Sequence, residues 1–166
     1  MIAKSYIIST LNELDKLYNK STSQKKTIYY SKLAVIELCG WIEETIDGVL
    51  KRHAYRNLKT ADNKTYCLER IINPTYGFQY LKNVRPMLIS LVGLIEVEKI
   101  EIQLEKTAQI TLLKSNLGNL VKSRNEAAHT HLKGSTRRYN APSRTLGDFN
   151  RIYPLLEKLD QELRKR

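Results

Sequence analysis

The stretch Lys122-Ser123-Arg124-Asn125-Glu126-Ala127-Ala128-His129-Thr130-His131 gathers an arginine, an amide and a histidine within six residues. On a helix Asn125 and His129 stand one turn apart on one face, while Arg124 sits about 140° round from His129. Its long side chain still curls toward the same side. These residue types suit cleavage of an RNA phosphodiester. The 2′-hydroxyl attacks the adjacent phosphorus, which needs a base for its proton, an acid for the leaving oxygen and positive charge for the phosphorane oxygens. Imidazole titrates in the range that such transfers require. Guanidinium is a fixed cation with paired donors shaped for phosphate. The Asn125 amide would orient the imidazole or hold an oxygen. One histidine does not easily serve as both acid and base, so a two-fold dimer, with two copies of the helix across one cleft, would supply the pair. Ala127 and Ala128 are small and leave room for a partner helix. On residue types alone the plainer reading still comes first, a surface arginine beside a helix-terminal histidine.

Other chemistry finds little footing. There is no GxxxxGK[ST], GxGxxG or HExxH motif, and His53, His129 and His131 are the only histidines. His129 and His131 are two apart, about 200° round a helix, and do not clasp one metal there. Glu43, Glu44 and Asp47 read as a solvated helix face with i, i+3 and i+4 charge relations more readily than as a carboxylate site. Cys39 and Cys67 make neither a disulfide framework nor a zinc site, and are expected as buried small hydrophobes. No metal and no cofactor are expected.

The chain that must position these groups has 166 residues, one domain's worth, read as a single domain over 1–166. Seven Gly and four Pro disfavour a turn-rich all-β fold. The net charge of +11 is unevenly placed. Residues 51–85 carry eight basic and two acidic side chains and residues 133–166 nine and four, while the two remaining stretches balance. RNA, DNA or an anionic membrane are the polyanions to consider, against the alternative of a basic protein with no such partner. Lys133, Arg137 and Arg138, just past the motif, would track an RNA backbone, and Tyr139 would stack on a base or pack in its loop. The longest apolar stretch, 87–95, is too short to span a bilayer. Without a signal sequence or disulfide pattern, the cytoplasm is the expected compartment, with no membrane partner.

Periodicity predicts helix nearly everywhere. Ile7, Leu11, Leu14 and Tyr18 define one face over 3–20. Thr27 is placed to cap a second, central helix with a wide apolar stripe. On it Leu33, Ile36, Gly40 and Trp41 line one side, and Val35, Leu38, Ile42, Ile46 and Val49 the adjoining one. Gly40 would permit a close approach or a bend. Residues 57–77 are irregular, with a short helix near 65–72. A long helical region follows over 78–106, kinked or opened by Pro86, with Leu88, Leu91, Leu94 and Ile95 buried. The alternation over 97–104 could pass for a strand, but helix is expected. A helix over 108–132 carries the motif, with Ile110, Leu113, Leu117, Leu120 and Val121 inward. After a loop at 133–145, Thr145 and Asp148 would cap a last helix bent at Pro154. The architecture is an all-α single-domain bundle of four to five long helices.

Arg124-Asn125-Glu126-Ala127-Ala128-His129 resembles the R-polar-xxx-H motif of HEPN domains, the all-helical nucleotide-binding and ribonuclease domains of prokaryotic toxins, phage-defence systems and CRISPR effectors. The motif falls near the end of a late helix, as in that family. Residues 31–43 and the segment Ala141-Pro142-Ser143-Arg144-Thr145 with its following helix resemble stand-alone members of the RiboL-PSP-related kind. The resemblance implies a metal-independent endoribonuclease working as a homodimer, with Arg124 and His129 of both subunits lining a shared cleft and Asn125 beside the arginine. It also implies a toxin or defence role with an antitoxin or defence-system partner protein. HEPN toxins paired with a nucleotidyltransferase usually carry Tyr two residues after the histidine; here that position is His131, so control by nucleotide transfer to it is not expected. The rival to the nuclease is a non-catalytic helical module that binds RNA or protein through the same cleft.

Overall fold

The computed structural model describes residues 2–129 and 139–166, which hold seven α-helices and no strand. They are α1 (Ser5–Lys20), α2 (Gln24–Asn57), α3 (Ala61–Tyr66), α4 (Arg85–Val92), α5 (Leu94–Glu105), α6 (Gln109–His129) and α7 (Pro142–Leu163). Two π-helical segments, Cys67–Ile72 and Tyr80–Val84, flank a short loop between α3 and α4. The expected all-α class holds. Four helices are long, α1, α2, α6 and α7, at 16, 34, 21 and 22 residues.

The centre of the molecule is α2, which packs against α1, α6 and α7; α7 also covers α1 and α6. Its inward stripe is Leu38, Ile42, Ile46 and Val49, spaced by four, four and three. The adjoining side turns outward. Leu33 and Ile36 are exposed, and a Cβ added at Gly40 would meet nothing within 4 Å. So Gly40 serves no close approach, and α2 runs on through it. Trp41 stays against the core by packing its ring edge on Phe149 and stacking on Tyr153, both from α7. Its indole N–H donates to the Ala3 carbonyl at 3.0 Å, tying the first residues to α2.

Caps and breaks are decided at four places; the third follows the expectation and the others depart from it. First, Ser23 rather than Thr27 caps α2: its backbone is extended and its Oγ accepts from the Lys26 N–H at 3.4 Å. Thr27 lies in the first turn, donating to the Gln24 carbonyl. Second, Pro86 opens α4 at its first turn, and the interruption of the 78–106 region falls at Gly93, whose φ is +86°. That conformation suits glycine alone and resets the phase of the apolar stripe. Leu88 is therefore buried while Leu94 and Ile95, expected inside, are exposed. Third, over 97–104 the helical period wins: Val97, Ile100 and Leu104 are buried and Ile102 is exposed. Fourth, α7 begins at Pro142, whose ring presets the first helical φ. The Ser143 N–H is taken up by Asp15 Oδ1 of α1 at 2.9 Å. Thr145 is consequently a buried residue within the helix, and Asp148 pairs with Arg151 instead of capping.

The inward row of α7 and the burial of the two cysteines follow expectation. Phe149, Ile152, Leu156, Leu159 and Leu163 are all buried along α7, which continues through Pro154. Cys39 and Cys67 are buried free thiols.

Candidate functional site

Along α6 the buried positions are Ile110, Leu113, Leu117, Leu120 and Ala127. The helical period places Arg124 in that same inward row, four after Leu120 and three before Ala127. A guanidinium on a core-facing row needs partners, because burial of an uncompensated charge is costly. It has three. The ring of Phe78 lies 5.6 Å from the guanidinium carbon, Glu43 Oε2 of α2 lies 3.9 Å from Nη1, and Asn125 Oδ1 accepts from Nη2 at 3.2 Å. About a third of the arginine side chain remains open to solvent. An ion pair this long and this exposed contributes about 1 kcal/mol or less, whereas charge-assisted bonds to a phosphate are stronger. Arg124 is aimed by its neighbours without being locked to them.

Glu43 is the hinge of this arrangement. Its Oε1 accepts from the Gly77 N–H at 2.6 Å, so one carboxylate joins α2, α6 and the loop between the two π-helical segments. That loop is held from inside as well. Asn83 accepts from the Gln79 N–H and donates to the Tyr76 carbonyl, while Gly77 turns the chain at φ +101°. Phe78 is thereby fixed fully buried beneath the guanidinium. The Cys39 thiol, which donates to the Leu120 carbonyl, is pushed up to about 12 by burial, with Arg124 pulling the other way, and is inert as a nucleophile. One turn along α2 from Glu43, burial pushes Asp47 up to about 6 against the pull of Lys51.

Asn125 and His129 stand exposed on the outer side of the same two turns. Among the described residues no hydrogen bond or ion pair links His129 to Arg124 or Asn125. Ala127 is buried within this subunit and Ala128 is exposed, so Ala128 is the small residue left at the surface. Tyr139 is half-buried, with Lys32 of α2 5.9 Å from its ring and its hydroxyl enclosed without a hydrogen-bond partner. His131, Lys133, Arg137 and Arg138 lie outside the described residues.

The sequence pattern singled out Arg124, Asn125 and His129 but not the groups packed behind the arginine. Glu43 sits next to the buried Ile42, at the edge of the α2 stripe, and this was the one signal that separated it from Glu44. Phe78 lay in a stretch with no periodicity to orient it. Among the described residues no three His, Cys, Asp or Glu side chains gather as a metal site requires, and no helix is long and apolar enough to cross a membrane. No family model, curated protein or solved structure matches the chain.

Proposed function

We propose that the protein is a metal-independent endoribonuclease of the HEPN type, a cytoplasmic homodimer acting as a toxin or phage-defence effector. The observation that carries this reading is Arg124 on the inward row of α6, braced by Glu43 and Phe78 and bonded to the exposed Asn125, with His129 exposed further along the same helix. A purely structural arginine needs no exposed amide bonded to its guanidinium. In the reaction, the 2′-oxygen forms its bond to phosphorus and the bond to the 5′-oxygen breaks. The proton of the 2′-hydroxyl passes to one His129, and the leaving oxygen takes a proton from the other subunit's copy. Arg124 balances the charge that grows on the non-bridging oxygens. Asn125 holds the guanidinium by its hydrogen bond, and Lys133, Arg137, Arg138 and Tyr139 receive the flanking strand. The products are a 2′,3′-cyclic phosphate and a 5′-hydroxyl.

The test is incubation of purified protein with RNA in EDTA, followed by analysis of fragment ends. Cyclic-phosphate or 3′-phosphate ends are expected, and both Arg124→Ala and His129→Ala should lower the rate by about 10²-fold or more. Cleavage that requires a divalent ion and leaves 3′-hydroxyl ends would overturn the reading. One observation favours a second reading. Arg124 is already engaged by Glu43 and Phe78, as a scaffold residue would be. On that reading the protein binds RNA or a protein partner without cutting it, and the same incubation gives a retarded, intact RNA.

A further inference from the structure

The two segments that hold the chain's surplus charge meet in space. Arg52 and Arg56, from the last two turns of α2, and Arg164, directly after α7, line one cavity of about 450 Å³. Three guanidiniums face a single lining carboxylate, Asp160, which is only 6 % exposed. Asp160 Oδ2 accepts from Arg164 Nη2 at 2.5 Å and its Oδ1 lies 4.0 Å from Arg52 Nη2. Arg56 has no carboxylate partner among the described residues. Its Nη2 is instead held by the Arg164 carbonyl at 3.3 Å and by His53 Nδ1 at 3.4 Å. His53 forms the floor, 6 % exposed, and burial together with Arg56 holds its imidazole below the usual histidine range, so the ring stays a neutral acceptor.

Two positive charges are therefore left uncompensated in one concavity. Solvated surface cations spread apart to lower their repulsion. Here the nine-tenths buried Asp160 binds Arg164 and faces Arg52 at 4.0 Å, while the nine-tenths buried His53 and the Arg164 carbonyl hold Arg56, which is the preorganisation that an anion site needs. The fork of donors on each guanidinium matches phosphate oxygens. The rest of the wall is of another kind: Val49 and Leu163 are apolar, and Tyr55 presents a half-exposed ring at the rim. The volume lies in the range of small-ligand pockets.

We propose that this cavity binds a small phosphomonoester, with the phosphate among Arg52, Arg56 and Arg164 and a compact planar or apolar body against Tyr55 and Leu163. It shares no residue with the Arg124 site and does not depend on the nuclease reading. The same chemistry is offered by a free metabolite and by the terminal phosphate of a nucleic acid strand.

Calorimetric titration of the full chain with phenyl phosphate, at fixed ionic strength set by chloride, tests the site. Saturable one-to-one binding is expected, with inorganic phosphate weaker and phenol not bound. Arg56→Gln should weaken phenyl phosphate by about tenfold or more, the loss of a charge-assisted contact. Tyr55→Ala alters an exposed ring and leaves the fold intact; it should weaken phenyl phosphate while leaving inorganic phosphate unchanged. A 5′-phosphorylated dinucleotide that binds where its 5′-hydroxyl form does not assigns the ligand to a strand terminus; binding of phenyl phosphate alone assigns it to a free metabolite. Phenyl phosphate heats that match those of chloride, or that survive Arg56→Gln unchanged, overturn the site. Loss of binding in Arg124→Ala overturns it too, by moving the anion to α6.

Discussion

A lone carboxylate, Glu43, decides how Arg124 is presented. Replacing Glu43 with Gln keeps a hydrogen-bond acceptor for the Gly77 N–H but removes the charge opposite the guanidinium. On the nuclease reading this variant should bind RNA more tightly at low salt, because no anion competes with phosphate, yet turn over more slowly because the guanidinium is less well aimed. Separate measurement of KM and kcat reads the two effects apart; a fall in both RNA binding and turnover would contradict it. Asp47, one turn away, gives a pH prediction. Its folded carboxyl titrates near 6 instead of the ordinary 3.8, so the fold holds a proton that the unfolded chain has lost. The cost is present above pH 6 and disappears below about pH 4. Asp47→Asn should accordingly stabilise the protein at pH 7.5 by about 1 kcal/mol, well short of the full shift because the carboxylate is only partly buried and water screens it. It should gain nothing at pH 4. His53 has the opposite sign. Its neutral form is favoured in the fold, so stability is lost as pH falls through 6.5. Denaturant midpoints of Asp47→Asn and His53→Asn across pH 4–8 separate the two slopes. Neither shift was legible in the sequence, because burial of a single side chain depends on which helix lands beside it.

Helices announce themselves through repeated spacing, and the elements followed that rule. The rows of α1, α6 and α7 were readable apart from Tyr18 and Val121, which end half-buried, since each helix buries one narrow face against neighbours that also follow the 3.6 period. The stripe of α2 was too wide to be resolved by spacing alone. Leu33, Ile36 and Leu38 are alike as residue types, and only the placement of α1, α6 and α7 tells which are inside. The break at Gly93 was missed because Pro86 is the louder signal, yet proline costs nothing at a helix start while a positive φ forces a new direction. This predicts a specific ranking. Ile42→Ala, at a position with no exposure, should cost about 3 kcal/mol. Gly93→Ala should cost about 1–2 kcal/mol through strain at φ +86°, although a Cβ there would touch nothing. Ser23→Ala should cost about 1 kcal/mol or less, the worth of an exposed cap. Urea midpoints at constant slope check the order; a neutral Gly93→Ala would show that the loop relaxes into another conformation.

At the scale of the whole molecule, the nuclease reading requires a second copy, since His129 is the only described histidine on α6. Mixing excess His129→Ala subunits with wild type should remove nearly all activity if the cleft is shared, whereas retention in proportion to the wild-type fraction would mean that each subunit works alone. The all-helical class was readable from composition and period, whereas the bracing of Arg124 was not. Its partners come from residues 43 and 78, far apart in sequence, and no local pattern encodes such a meeting. A similar long reach closes the fold. The Ser143 N–H rests on Asp15, and Tyr153 hydroxyl lies 3.5 Å from the Ile2 carbonyl, so α7 seals a face that α1 offers more than a hundred residues earlier. Such non-local closure is slow compared with helix formation. On a ribosome, the apolar row Ile7, Leu11 and Leu14 emerges early and waits, half-covered by α2, until α7 has been synthesised. A nascent chain stalled at residue 141 should therefore remain open to protease and to chaperones that grip exposed apolar segments. Helix α6 would be complete at that moment, but the body that holds it would not.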